Sequence, residues 1–424
     1  MTVDRTTEPI DTQPLPDEPP SDGAGPAVAA PRRRLRLRLR LRRQQQRPMT
    51  RGRLIRRRVY RGVLGAVVVF VGWFAWSFSG YVRDSHGEPT LVLLAEWGRD
   101  HHIGGITAWA ENFYYDHVST VPTGGTPTIS AIVGGPTPVT PTGPASTHAH
   151  LLPPAMIVSP VSHPLPGEGI WQPVGSLVGG LPAIYVTRVR PDAIHTSVLA
   201  SMMWIDTDLT KALLVPGYLE PGGPSPTQGA LPKHDWAAVL ANFNGGFRTA
   251  DSKGGYFYQG DLVKPLVNGR ASAVITKDGK LTIGAWGRDA TMTPQVSVVL
   301  QNLNLIVDGG RSMVAAGDNF QWGFTTDGKS LAWRSALGQR ADGSLVYIGS
   351  PGLSAQTMAD MLVKAGVVRA MVLDMNNWWV AGFYFSHTAT GAPVCAKLDP
   401  NIAEGCDRYL KRYKRDSFQI LAAP

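Results

Sequence analysis

An uncharged, mostly apolar stretch, residues 62–82, divides the chain into two unequal parts. About 20 such residues in a helix span the hydrocarbon core of a bilayer. Trp73, Trp76 and Tyr81 lie toward its C-terminal end, where the aromatic residues of membrane helices gather. The stretch therefore predicts a retained transmembrane helix. A cleaved signal peptide is the alternative that its position leaves open.

The positive charge of the chain belongs to the segment before that stretch. Of the 41 Lys and Arg and the 32 Asp and Glu residues, residues 1–61 hold 16 Arg and 6 acidic residues, which leaves 25 basic and 26 acidic residues elsewhere. A nucleic-acid-binding domain needs its own basic face, so we expect no nucleic-acid partner. The arginines place the N-terminus in the cytoplasm, where they either bind anionic lipid headgroups or stay solvated.

The segments around the apolar stretch have distinct compositions. Residues 1–30 contain almost no large apolar side chains, so we expect residues 1–61 to be a disordered tail. Residues 83–117 predict a juxtamembrane amphipathic helix, and residues 118–168, rich in Thr, Pro and Gly, predict an extended linker. Several side chains in the helix would suit a metal, although a charged solvent-facing side explains them better: Glu96, His101, His102, Glu111 and His117.

Residues 169–424 have the pattern of a globular domain. Short apolar runs bounded by Pro, Gly or Asp predict strands at 183–189, 196–206, 211–215, 273–276, 281–283, 295–307, 330–337 and 345–349. Ser354 and Gly366 are the expected N-cap and C-cap of a helix. We expect an α+β domain with a mainly antiparallel sheet and a few packed helices. Cys395 and Cys406 predict a disulfide in an exported domain, with two buried thiols as the alternative.

The sequence Asn-Phe-Asn-Gly-Gly-Phe, residues 242–247, follows one of the apolar runs. Its two glycines permit positive φ values and a close approach of other chain segments or a ligand. The amide of Asn244 would then point into the space that Gly245 and Gly246 leave open. A plain hairpin turn is the alternative, because Asn-Gly is also a strong hairpin signal.

Residues 241–247 resemble the Asn-Gly-Gly-Phe motif of the phosphodiester glycosidase family. That family includes the enzyme that uncovers mannose 6-phosphate by removing N-acetylglucosamine from a phosphodiester. Further pieces resemble the family in the same order, at residues 334–338, 342–345, 352–362 and 366–374. Together they cover roughly residues 169–390.

The resemblance changes after Asp374. The family has glycines and a serine there, whereas this chain has Met-Asn-Asn-Trp-Trp at residues 375–379. The Leu-Asp-x-Asn pattern resembles a branch of the family in actinobacterial membrane-anchored proteins. The carboxylate is kept and the glycine cradle is lost, so the resemblance supports the fold more firmly than catalysis.

The resemblance implies hydrolysis of a sugar–phosphate diester at the anomeric carbon, through an oxocarbenium-like state. Asp374 is the candidate nucleophile or base, and Asp308 is a second carboxylate for an acid/base pair. Both also suit structural turns. The candidate substrate-binding residues offer phosphate donors, sugar hydrogen bonds and a stacking ring: Asn244, Gly245, Gly246, Arg334, Asn376, Asn377 and Trp378.

These patterns together predict a membrane-anchored extracytoplasmic hydrolase that acts on a phosphodiester-linked glycan of the cell envelope. The sequence has no Gly-x-Ser-x-Gly, His-Glu-x-x-His or Walker motif, so serine hydrolase, zinc protease and nucleotide-binding functions have no support. We expect neither a cofactor nor a metal. A non-catalytic glycan-binding or envelope scaffold domain on the same fold is the alternative, and the lost glycines favour it.

Overall fold

The computed structural model describes residues 51–117, 121–128, 150–314, 322 and 331–423. The chain divides into two compact units, Met1–Ser79 and Gly80–Pro424, which we describe separately. Residues 1–50 of the predicted disordered tail, and residues 118–120 and 129–149 of the predicted linker, lie outside the described residues. Residues 51–61 are helical, so the prediction of disorder over residues 1–61 is wrong for this part.

The apolar stretch lies within helix α1 (Arg51–Arg83). An 18-residue window of this helix has a mean hydropathy of 1.8, so it is long and apolar enough to cross a membrane. A signal sequence would have the same property. The helix begins before residue 62 because arginine is a good helix former, and the arginines before the apolar stretch continue the same helix.

The predicted juxtamembrane helix is two helices, α2 (Thr90–Asp100) and α3 (Gly104–His117). His102 between them has a φ of 62°, a left-handed conformation that interrupts a helix. On α2, Leu93 and Trp97 are buried. The prediction of one continuous helix is therefore wrong at this turn.

The Gly80–Pro424 unit is built mainly of strands. In chain order the strands are β1 (Gln172–Val178), β2 (Leu181–Val189), β3 (Ala200–Ile205), β4 (Thr210–Val215), β5 (Val239–Asn244), β6 (Tyr256–Tyr258), β7 (Asp261–Lys264), β8 (Ala271–Thr276), β9 (Leu281–Ala285), β10 (Val296–Gln301), β11 (Leu305–Asp308), β12 (Arg311–Ser312), β13 (Ala332–Arg340), β14 (Leu345–Leu353), β15 (Val367–Val372), β16 (Gly382–His387), β17 (Pro393–Lys397) and β18 (Ser417–Ala422). The helical elements among them are α4 (Thr249–Ser252), α5 (Ala355–Lys364) and two short 3-10 turns, Lys233–Asp235 and Arg408–Leu410.

The strands pair antiparallel in three sheets. An eight-stranded sheet has the order β1-β2-β3-β14-β13-β15-β11-β12, and two five-stranded sheets have the orders β17-β16-β5-β18-β4 and β7-β6-β10-β8-β9. This architecture confirms the predicted α+β class with a mainly antiparallel sheet.

The eight-stranded sheet is buried on both faces. Along β3, Met203 and Ile205 belong to a large core shared with the five-stranded sheets, whereas Met202 and Trp204 belong to a second core beneath α5. Successive strand residues point to opposite faces, so a strand covered on both sides must be apolar throughout. This requirement explains why β3 is apolar except for Ser201, whose hydroxyl donates to a carboxylate oxygen of Asp399 at 2.8 Å.

Several local predictions are confirmed. β8 and β9 form the hairpin expected from residues 273–283, with Gly279 at a φ of 87° in its turn. Ser354 caps α5 by accepting a hydrogen bond from the backbone N–H of Thr357, and Gly366 has a φ of 79° after its end. The run 295–307, however, forms two strands in different sheets, β10 and β11.

The packed domain begins before residue 169. Ile157 is buried in the core beneath α5, and Leu151 donates its backbone N–H to a carboxylate oxygen of Asp206 at 2.8 Å. Glu168 and Arg190 form a buried ion pair at 2.8 Å. The last part of the predicted linker therefore packs on the domain. Near the C-terminus, Cys395 and Cys406 form a disulfide with a Cα–Cα distance of 5.7 Å.

Candidate active site

The side chain of Asn244, at the end of β5, connects two sheets. Its Nδ2 donates to the carbonyl of Gly245 at 2.8 Å and to Ser335 Oγ at 3.0 Å. Its Oδ1 accepts from the Tyr347 hydroxyl at 2.8 Å and from the backbone N–H of Ala381 at 3.1 Å. An amide side chain has two donor and two acceptor positions, and all four are used here. Asn244 thus supports the site, and its amide is not directed at a ligand.

Ser335 on β13 extends this network to Asp374, which follows β15. The Ser335 hydroxyl donates to the carbonyl of Asp374 at 2.8 Å and accepts from the Asp374 backbone N–H at 3.1 Å. These bonds fix the backbone of Asp374 relative to Asn244. The structure therefore brings two of the predicted site residues into one network, with an unpredicted serine between them.

The glycine pair provides room for another carboxylate. A Cβ atom on Gly245 would lie 1.9 Å from Oδ2 of Asp416, and one on Gly246 would lie 3.3 Å from Nδ2 of Asn302. Neither glycine has a positive φ, and β5 leads into α4 instead of a hairpin. The expected positive φ and the hairpin alternative are both wrong. The expected close approach of another chain segment is confirmed.

Asp374 and Asp416 are both buried, and each interacts electrostatically with Arg415. The guanidinium Nη2 of Arg415 lies 3.4 Å from Oδ2 of Asp374. Burial raises the pKa of Asp374 to about 6, although the charge of Arg415 opposes the increase. Burial, together with the charges of Glu220 and Asp374, likewise raises the pKa of Asp416 to about 7, again against Arg415. Buried carboxyl groups with raised pKa values are candidates for catalytic acids and bases.

Polar atoms around this pair are buried without a hydrogen-bond partner among the described residues. They are Asp416 Oδ2, Tyr256 Oη, Asn302 Oδ1, and Nε and Nη1 of Arg415. Burial and the charge of Asp416 raise the pKa of the Tyr256 hydroxyl. Buried polar groups are normally paired, so such a group of donors and acceptors indicates a binding site.

The residues that replace the glycine cradle form a turn that holds Arg415. Asn376 accepts the backbone N–H of Trp378 through its Oδ1 at 2.8 Å, and Asn377 is exposed. Trp378 packs in the core, and its carbonyl accepts a 2.8 Å hydrogen bond from Arg408. The Trp379 ring centroid lies 4.6 Å from the Arg415 guanidinium carbon, a cation–π contact.

Two other predicted residues, Arg334 and Asp308, bond to groups other than those expected from the sequence. Arg334 is buried, and its guanidinium donates to the carbonyls of Leu353 at 2.8 Å and Trp322 at 3.3 Å. It follows that Arg334 supports the protein backbone in this structure. The observed neighbour of Asp374 is Arg415.

Asp308 lies at the opposite end of β15 from Asp374. It is the strand partner of Arg369, and its carboxylate accepts two hydrogen bonds from Arg288, at 2.7 and 2.9 Å. Asp374 is five residues beyond Arg369, roughly 16 Å along an extended strand. The structure therefore does not bring Asp308 and Asp374 together as an acid/base pair.

Arg415 and Asp416 were not identified from the sequence. They lie in Lys-Arg-Asp, residues 414–416, immediately before β18, and such a run is typical of a solvated surface. All three side chains are buried instead. The one feature of the sequence that could have indicated their burial is the position of these charges directly before an apolar strand.

A cavity of about 380 Å³ reaches this site at Arg415. Charged side chains dominate its lining, which consists of Gly80, Tyr81, Asp84, Glu96, Asp100, Leu219, Glu220, Arg248, Lys414 and Arg415. Asp374 and Asp416 are not among these lining residues, and Arg415 connects the cavity to Asp374. Among the described residues, no group of His, Cys, Asp and Glu is arranged to hold a metal ion.

Two buried carboxylates, one close to Gly245 and the other close to Arg415, are thus the ionisable groups at the centre of this candidate site. Residues 237–374 match the family model of phosphodiester glycosidase. The chain therefore contains a domain of that hydrolase family, and the match ends at Asp374.

Solved structures show distant similarities. The catalytic domain of zebrafish N-acetylglucosamine-1-phosphodiester alpha-N-acetylglucosaminidase, auto-inhibited by its pro-peptide, is 16% identical with a TM-score of 0.37, and the alignment covers 57% of this chain and 82% of that chain. A hypothetical protein from Synechocystis is 12% identical with a TM-score of 0.36, and the coverage is 60% and 64%. None of the curated proteins matches the chain.

The contact between Gly245 and Asp416 gives a direct prediction. Gly245→Ala would place a methyl group on the Asp416 carboxylate. We expect the free energy of unfolding to fall by about 1–3 kcal/mol from overpacking. Urea denaturation of the full chain in detergent measures this change. Gly105→Ala, where a Cβ meets nothing within 4 Å, is the matched control, and equal stability of the two variants would contradict the assignment.

Proposed function

We propose that this protein is a membrane-anchored extracytoplasmic hydrolase that cleaves the glycosidic bond of a sugar–phosphodiester in a cell-envelope glycan. The observation that carries the proposal is the buried pair of Asp374 and Asp416 with raised pKa values. The family match supplies the reaction type. The sequence prediction paired Asp374 with Asp308, and we propose Asp416 in place of Asp308.

The two pKa values assign a role to each carboxyl group. At pH 7, Asp374 with a pKa of about 6 is mostly ionised, so it acts as the base. Asp416 with a pKa of about 7 keeps its proton in about half of the molecules, so it acts as the acid. Neighbouring carboxyl groups in different environments commonly divide acid and base roles in this way.

In the proposed reaction, Asp374 removes a proton from a water molecule as the water oxygen bonds to the anomeric carbon. The bond between that carbon and the phosphate ester oxygen breaks, and its electron pair passes to the oxygen. Asp416 donates its proton to the departing phosphate. The products are a sugar hemiacetal and a phosphomonoester. A phosphomonoester is a good leaving group, so a modest acid is sufficient.

The neighbouring polar groups fit the other requirements of this reaction. Arg415 lies beside Asp374 and can balance negative charge on the phosphate. The unpartnered hydroxyl of Tyr256 and amide oxygen of Asn302 can bind sugar hydroxyls. Asn244 and Ser335 act indirectly, by fixing the Asp374 backbone.

The location follows from α1 and the residues around it. Arginines precede the apolar segment, and by the positive-inside rule they favour a location of residues 80–424 outside the cytoplasm. A disulfide between Cys395 and Cys406 is compatible with an oxidising compartment. Glycans linked by phosphodiesters are substrates available on that side of the membrane.

Substitution of each carboxylate tests the catalytic pair. We expect Asp374→Asn and Asp416→Asn each to lower kcat by about 10²–10⁴-fold on sugar-1-phosphodiesters, because each removes a proton-transfer group. Release of phosphomonoester by the full chain in detergent measures the rate. Asp308→Asn is the matched control and should keep the activity. Wild-type protein that is folded and binds glycans without hydrolysing a broad substrate panel would favour the non-catalytic alternative.

The pH dependence tests the division of roles. Activity should fall below about pH 6 as Asp374 is protonated, and above about pH 7 as Asp416 loses its proton. The expected profile of kcat/KM is a narrow bell with its maximum between these values. A rate that rises steadily from pH 5 to pH 9 would be inconsistent with Asp416 as the acid.

The proposed topology is testable in intact cells. A C-terminal epitope tag should be digested when protease is added to spheroplasts, and an N-terminal tag should be protected, because α1 separates the two compartments. The full-length chain should also remain in the membrane fraction. Protection of the C-terminal tag would contradict the topology, and a shortened soluble product would indicate a cleaved signal peptide.

A further inference from the structure

The cavity that Arg415 lines contains three cationic side chains. Arg248, Lys414 and Arg415 all line it. The side chains of Lys414 and Arg415 are only 5% and 9% exposed. Buried cations are costly unless an anion accompanies them, so this concentration of positive charge needs an explanation.

Carboxylates from α2 and the turn before it supply the compensating charge. Lys414 Nζ lies 2.7 Å from Glu88 and 3.1 Å from Glu96. The Arg248 guanidinium contacts Asp100 at the end of α2. These contacts join α2 to the cavity wall.

The charge balance of the cavity depends on that segment. Asp84, Glu96 and Asp100 come from residues 80–100, and Glu220 is the remaining acidic residue of the lining. Without residues 80–100 the lining would keep three cations and one carboxylate. A cavity with that balance, closed by low-dielectric walls, attracts an anion.

Arg415 has hydrogen-bonding capacity that α2 does not use. Its Nη2 faces Asp374 and its plane lies over the Trp379 ring, whereas Nε and Nη1 have no hydrogen-bond partner among the described residues. A guanidinium has a fixed set of N–H donors that match the oxygens of phosphate. The two unpartnered donors are therefore available to a further acceptor.

We propose that Arg248, Lys414 and Arg415 form the phosphate subsite of the active site, and that Glu96 and Asp100 occupy it as internal anions until substrate displaces them. The inference rests on the proposed function. A phosphate in this subsite would bind the N–H groups of Arg415 that Asp374 does not use. α2 must move for the subsite to fill, so it controls access to the active site.

Binding of inorganic phosphate to the full chain in detergent, measured by calorimetry, tests the subsite. Glu96→Gln with Asp100→Asn should bind phosphate about tenfold more tightly than the wild type, because two competing anions are removed. Adding Arg248→Gln should reverse the gain. Asp342→Asn with Asp407→Asn changes the net charge equally at ion pairs elsewhere and is the matched control.

Equal phosphate affinity in the wild type and the double variant, or a gain in the control, would overturn the proposal. If the double variant does not fold, Asp100→Asn alone serves, because the Asp100 side chain is 36% exposed. Phosphate binding should persist in Asp374→Asn, where hydrolysis is lost. If the protein hydrolyses sugar-1-phosphodiesters but the double variant does not bind phosphate more tightly, only the subsite is refuted. If the double variant binds phosphate more tightly but the protein hydrolyses no substrate, only the proposed reaction is refuted.

Discussion

The amide of Asn244 is the interaction on which the candidate site depends. It joins β5, in a five-stranded sheet, to Ser335 and Tyr347 of the eight-stranded sheet, with all of its hydrogen-bonding positions used. Because the amide is buried, an atom that loses both of its partners has no compensation, at a cost of about 1–3 kcal/mol. These hydrogen bonds therefore fix the position of one sheet relative to the other at this point. Because Ser335 also accepts the backbone N–H of Asp374, the same bonds fix the position of Asp374.

The charged groups of the site are buried, and neighbouring side chains compensate them. Arg415 contacts Asp374 on one side and Trp379 on the other. Trp379 belongs to the residues that replace the family's glycines after Asp374. This difference from the family's sequence has a physical consequence, because the ring of Trp379 holds the guanidinium of Arg415 beside the carboxylate of Asp374. This contact ties Arg415 to the segment that follows Asp374.

Sequence reasoning was most successful where local chemistry decides the conformation. The α5 helix has its own N-cap at Ser354, and the β8–β9 turn needs a glycine with positive φ, so both were predictable. It failed where the decisive neighbour is distant in the chain. Gly245 is small because Asp416, far along the sequence, approaches it, and no local pattern encodes that contact. Asp308 was plausible from its Asp-Gly-Gly sequence, but the direction of β11 places it at the wrong end of the sheet.

The sequence by itself determined the apolar segment, the mainly antiparallel α+β class and the importance of Asn244 and Asp374, because periodicity, turn chemistry and family motifs are local properties. Only the tertiary structure decided which carboxylate accompanies Asp374. Strand pairing brings the segment before β18 against β5, so the Lys-Arg-Asp run is buried beside the glycine pair. Burial then changes the chemistry of those charges, since the same residues in water would have ordinary pKa values. Their function depends on that environment, which the whole fold creates.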